Sequence, residues 1–323
     1  MKRSLHALLL LGAFVVTPSL LAQRSFGGTP LGPKGSRIGL PEAPVMTLPS
    51  VDVETLRAED AANAANGIKG PWRFGYQHFT DISMSTSGVW HTLPNGDRNW
   101  RVVLECRGAV SINFAFTEYV VPAGARVFAY NWHGDVLGGF TAESNPGRTQ
   151  LGVAPLKGER IMVEYQEPAA VAGQGHLTIG KVTHGYRDAS GAQRDLGDSG
   201  PCNVNVICPE GDDWRDQIRS VAHIIEGAGV CTGTLMNNCA NDSTPYFLTA
   251  HHCHPADEDP ATWVFRFNWD SPICDPTEQG PTDQTISGAE ILAENPGTDM
   301  LFLELSAIPP VDFNVYYSGW DHT

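Results

Sequence analysis

The residues best suited to chemistry lie late in the chain. Phe247-Leu248-Thr249-Ala250 is an apolar run that ends in His251-His252-Cys253. A strand that delivers an imidazole at its end can present a general base, provided something holds the ring still. Cys253 can tie that corner to an upstream strand, and the natural partner is Cys231 in Cys231-Thr232-Gly233-Thr234-Leu235. Closing such a loop contributes ~3 kcal/mol in the chain-entropy account of cross-links. Further on, Asp299 opens the apolar run Met300-Leu301-Phe302-Leu303. A carboxylate there can accept the Nδ1 proton of His252, fix its tautomer and stabilise the imidazolium. The same cluster, His251-His252-Cys253-His254, also holds possible zinc ligands. Adjacent residues point in different directions, however, and an exported cysteine favours sulfur, so no metal is expected.

The elements that must position these groups read as β-structure. Turn-rich composition, with 34 Gly and 23 Pro, favours an all-β protein. Residues 51–65 carry helix formers with Val53, Leu56 and Ala61 on one face. Strand patterns follow at 100–106, 111–116, 126–130, 160–165 and 176–182, separated by turns such as Pro122-Ala123-Gly124. Short strands at this spacing predict a β-sandwich. Further strands are expected at 220–225, 246–249, 263–269 and 300–305. In the third of these, Trp263, Phe265, Phe267 and Trp269 alternate, which places them on one packed sheet face.

The N-terminus reads as an export signal. Lys2 and Arg3 precede an apolar run from Ala7 to Val16, and Ala22 closes it. The run is too short to span a bilayer. Export makes disulfides the default fate of the seven cysteines, six of which lie between Cys202 and Cys274. The net charge of −15 argues against a nucleic-acid partner. The expected layout is a signal peptide at 1–22, a Gly/Pro/Ser-rich linker at 23–50, a β domain at 51–196 and a second β domain at 197–323.

The Cys-Thr-Gly-Thr-Leu strand, Thr249-Ala250-His251-His252-Cys253 and Asp299 on an apolar strand together resemble the first barrel of trypsin-like serine proteases. The likeness is closest to the bacterial lysyl endopeptidases. Cys202-Asn203-Val204-Asn205-Val206-Ile207-Cys208-Pro209-Glu210-Gly211 is similar to the start of their mature enzyme, and Ser318-Gly319-Trp320-Asp321 extends the match. Asn113-Phe114-Ala115-Phe116-Thr117 and Pro122-Ala123-Gly124-Ala125-Arg126 resemble their propeptide more loosely. The resemblance implies an all-β architecture: a sandwich-like propeptide domain, then the first β-barrel of a two-barrel protease.

It also implies a secreted endopeptidase precursor that acts on protein or peptide substrates, after Lys or Arg, without a cofactor or a membrane. His252 would be the general base and Asp299 its orienting carboxylate, with disulfides Cys231–Cys253 and Cys208–Cys274. Cys202 would pair with a cysteine in a second barrel and is unpaired here. Cys106 and Cys239 have no assigned partner. The propeptide is expected to contact the protease part within the chain.

In this family the serine follows the aspartate, yet only Ser306 and Ser318 lie beyond Asp299. Gly197-Asp198-Ser199-Gly200-Pro201 looks like a nucleophile loop, but it precedes His252 and reads as a junction linker. The residues therefore predict that the chain alone lacks the nucleophile, is inactive and exposes an apolar face. The competing expectation is a non-catalytic secreted β-rich binding or adhesion protein, which would behave as a soluble monomer. Recovery of ester hydrolysis that is lost in Ser199→Ala would restore the loop to a catalytic role.

Overall fold

The computed structural model describes residues 25–189, 203–256, 258–274 and 280–321. The expected export signal, Ser199, Cys202 and the boundary expected at 196/197 lie outside the described residues.

The front part is two sheets face to face. One carries Val45–Thr47, Arg98–Glu105, Arg160–Glu167, Arg126–Tyr130 and Val136–Phe140 in that spatial order, with Val89–Thr92 also paired to Arg98–Glu105. The other runs Gly75–Ser83, His176–Gly185, Ser111–Val120, Leu151–Lys157. Successive strand residues face opposite sides, so alternate residues form the core. Trp100, Val102 and Leu104 from one sheet pack in the same core as Ile112, Phe114 and Phe116 from the other. In His176–Gly185 the inward set is Leu177, Ile179 and then Val182. The phase slips by one because the pairing shifts between Ile179 and Lys181, a β-bulge.

Part of the segment expected as a linker is structured. Val45–Thr47 pairs in parallel with Val103–Glu105. The backbone N–H groups of Leu31 and Gly32 donate to the buried Glu164 carboxylate, at 2.6 and 2.8 Å. Three residues are too few for a periodic signal, and the Glu164 anchor lies more than 130 residues away. The helix expected at 51–65 is present as Val53–Ala65, with Asp52 as its N-cap, accepting from the Thr55 N–H.

The rear part is one curled, open sheet. Its order is Thr285–Ser287, Val264–Phe267, Val221–Glu226, Gly229–Met236, Tyr246–Ala250, Met300–Leu305, Ala289–Asn295. The concave side gathers Ile224, Leu235, Phe247, Phe265, Phe267, Leu301 and Leu303 into a second core, joined by Trp263. Among the described residues, no helix is long and apolar enough to cross a membrane.

The two parts are in contact. Ile225 and Val264, on the outer side of the rear sheet, belong to the front core. The Gly227 carbonyl accepts from Asn113 Nδ2 at 2.7 Å and from Thr183 Oγ1 at 3.1 Å. Asn145 Nδ2 donates to the Ala261 carbonyl at 3.0 Å. A Cβ on Gly152 would stand 1.8 Å from the Thr262 carbonyl oxygen, so only glycine allows this approach. Trp72–Arg73, although it lies in the front part of the chain, pairs with Gly229 and Val230 of the rear sheet.

Candidate active site

Three neighbouring rear strands build the site. Tyr246–Ala250 pairs with Gly229–Met236 on one side and with Met300–Leu305 on the other. The register sets Ala250 opposite Met300. Immediately beyond Ala250 the chain turns through the short 3-10 segment His251–Cys253, and immediately before Met300 lies Asp299. The two expected catalytic residues therefore meet at one end of one strand pair. The His251 N–H donates to the Asp299 carbonyl at 3.1 Å and continues the ladder.

Asp299 has φ +57°, a left-handed conformation that Asp adopts more readily than bulkier residues. In this turn its carboxylate meets His252 twice. Oδ1 accepts from the His252 backbone N–H at 2.9 Å, and Oδ2 lies 2.7 Å from His252 Nδ1. Those two bonds, the side-chain one first, hold the carboxyl down at about 2, with a smaller contribution from Lys69. An ionised carboxylate only accepts hydrogen bonds, so the proton between the pair resides on Nδ1. The neutral ring then offers the Nε2 lone pair, the state required of a general base. His252 is about one-third exposed, which leaves it reachable from solvent.

The disulfide Cys231–Cys253 ties the turn to the Gly229–Met236 strand. A second bridge, Cys208–Cys274, fastens the segment that leads into the rear sheet. Cys106 is buried and unbridged, its thiol pushed up to about 12 by burial, and Cys239 is exposed and unbridged. Cys231, His252 and Cys253 do cluster, with ligand-type atoms within 4.8 Å of one another. Both sulfurs are committed to the disulfide and supply no thiolate, so the set does not fit zinc. His251 and His254 lie 3.6 and 3.8 Å from Glu294, and His254 Nε2 also contacts the Glu258 carbonyl. They serve the turn's packing rather than the pair.

The two serines beyond Asp299 are placed elsewhere. Ser306 Oγ donates to the Ser287 carbonyl at 2.5 Å, and Ser318 Oγ shares a 2.8 Å bond with Ser220 Oγ. Among the described residues no serine hydroxyl bonds to His252.

One participant was not foreseen. Lys69, on the segment between the helix and Trp72, places Nζ 3.3 Å from Asp299 Oδ2, the oxygen that serves His252. A lone lysine in a Gly-rich turn carries no sequence signal for a partner 230 positions away. Beside the pair lies a cleft of about 360 Å³ lined by Gly70, Trp72, Val230, Cys231, Thr232 and His252, among others.

With this geometry in view, two comparisons with known proteins gain meaning. Residues 196–323 match the family model described as lysyl endopeptidase, C-terminal domain. The chain is also 29% identical over 190 residues to the lysyl endopeptidase of Pseudomonas aeruginosa. That match covers 52% of this chain and 39% of the relative, so the chain spans well under half of the relative's length. Both comparisons relate this chain to the lysyl endopeptidases, the family model through the part that contains His252 and Asp299.

Proposed function

We propose that the rear part of this chain is the first barrel of a trypsin-like serine endopeptidase, and that His252 and Asp299 are its base and orienting carboxylate. The observation that carries the reading is the two-point contact of one carboxylate with His252, at 2.7 Å to Nδ1 and 2.9 Å from the backbone N–H. In the reaction, a serine hydroxyl attacks the peptide carbonyl while His252 Nε2 takes its proton. The same nitrogen then returns the proton to the leaving amine, and Asp299 stabilises the imidazolium between the two steps. The serine, the oxyanion hole and the pocket for the substrate side chain belong to a second barrel in this reading. Cleavage after lysine is proposed from the names of the relatives. The front sandwich, expected at 51–196, acts as a propeptide on an exported precursor.

The test is hydrolysis of lysyl and arginyl peptide esters by the natural full-length secreted product. Asp299→Asn should lower kcat about 10⁴-fold, by favouring the wrong tautomer, and His252→Ala should lower it at least as far. Activity that survives either change overturns the assignment. A product with no hydrolase activity at all would point to the β-rich binding protein instead.

A further inference from the structure

The rear sheet has an edge that leads straight to His252. On one side, Gly229 to Thr234 pairs with Val221–Glu226. On the other, pairing with Tyr246–Ala250 covers only Thr234 to Met236. Beyond Thr234 that strand contributes only the Thr249 hydroxyl, which donates to the Thr232 carbonyl at 2.8 Å, so the stretch from Gly229 to Cys231 has no partner from it on that side. Such an edge is a template for an extended peptide, which adds to it by main-chain pairing. Cys231 of this stretch and the adjoining Thr232 line the same cleft as His252.

The edge is already taken where it starts. Trp72 pairs with Val230 and Arg73 with Gly229, antiparallel, as an added two-residue strand. The Phe74 N–H extends the contact to the Ala228 carbonyl at 2.9 Å. From Trp72 the chain runs back through Gly70 along the cleft to Lys69, whose ammonium sits on Asp299. The outer end of the added strand is held to the helix by Arg73, at 2.7 Å to Asp60 and 3.1 Å to Glu59. Beneath it is a second, larger cleft of about 870 Å³, also lined by Lys69, Gly70 and Trp72. The segment thus runs between two hollows, with Trp72 half-buried against the front core.

We propose that residues 69–73 are an autoinhibitory strap: Trp72 and Arg73 occupy the peptide-pairing edge beside His252, and Lys69 is a plug that competes for Oδ2 of Asp299, the oxygen bonded to His252. This deepens the peptidase reading and rests on it. The strap keeps a substrate backbone off the edge. Its ammonium also neutralises part of the carboxylate charge that would stabilise an imidazolium. Release requires that the strap be lifted or cut. Charged groups that face the pair are Asp299 and Lys69 themselves, with Glu294 on the neighbouring strand beside His251 and His254.

The test uses the whole chain and two readouts. In the first, the Asp299 carboxyl is titrated by carbon NMR in the wild type, Lys69→Met, Lys69→Arg and His252→Gln. Lys69→Met should move the titration upward, Lys69→Arg should leave it in place, and His252→Gln should move it upward by more. Movement with His252→Gln but not with Lys69→Met overturns the plug while the pair stands. No movement with His252→Gln overturns the pair, and the peptidase reading with it.

In the second readout, carbethoxylation of His252 is followed by peptide mass spectrometry well above the histidine range, so that protonation does not enter. Lys69→Met combined with Trp72→Gly should speed modification several-fold, with the buried His184 as an internal check that the fold persists. Faster labelling of His184 as well would mark general loosening; the single Lys69→Met variant, altered only at an exposed side chain, then decides the case. An unchanged rate at His252 overturns the occlusion.

Discussion

The bridge Cys231–Cys253 ought to act on stability and on the site in separable ways. Its sequence separation is 22, against 66 for Cys208–Cys274. In the chain-entropy account the shorter loop contributes about 3.4 kcal/mol and the longer about 4.3 kcal/mol. Each pair has one buried member, Cys253 and Cys208, while Cys231 is half-buried and Cys274 exposed. Paired alanine variants, Cys231→Ala with Cys253→Ala and Cys208→Ala with Cys274→Ala, should therefore lose similar stability in urea, the second about 1 kcal/mol more. Only the first should disturb the strongly deshielded Nδ1 proton of His252 in NMR, because only that bridge is adjacent to the ring in sequence. A short-loop variant that loses far more than the long-loop one would refute the entropic reasoning. A His252 proton signal that persists unchanged without Cys231–Cys253 would refute the claim that the bridge holds the imidazole.

Three further outcomes are expected. Glu164 is fully buried and accepts from Leu31 N, Gly32 N, Tyr130 Oη, Asn99 Nδ2 and Gln166 Nε2. Glu164→Ala should cost about 3 kcal/mol or more in urea unfolding and make residues 29–32 the first site of limited proteolysis. The Asp299 carboxyl titrates below its ordinary 3.8, so its contribution to stability is complete above that value and lost as pH falls toward about 2. Asp299→Asn should flatten the stability profile across that window, measured by calorimetry at each pH. His78 and His184 titrate below the ordinary 6.5 because they are buried, His184 also through the charge of His78. Protonation then favours the unfolded chain, and stability should fall as pH drops below 6.5. His184→Gln should reduce that slope.

The legible parts of this molecule were those with local signals. The strand at 111–116 announces itself by alternation, that at 300–305 by its apolar run, and the Val53–Ala65 helix by its formers and the common face of Val53, Leu56 and Ala61. His252 and Asp299 were readable because each sits at the end of an apolar run, so sheet pairing had only to align the two runs. What escaped was long-range or short. Val45–Thr47 has three residues, and Trp72–Arg73 has two, which is below any periodic signal. Glu164 looks like an exposed strand residue until the distant amides of Leu31 and Gly32 reach it. Lys69 was missed for the same reason, since nothing within several residues of it marks a partner at 299.

Ile225 and Val264 look outward from their own sheet yet are 2% exposed, because the sandwich lies over them. Their burial completes a hydrophobic interior that neither half closes by itself. The halves are mutually dependent: each hides greasy surface on the other, and a severed peptide bond between them would not by itself set them free. Parting them also requires water to re-enter that seam. Separation therefore takes more than scission, and a clipped pair is expected to persist as a non-covalent couple.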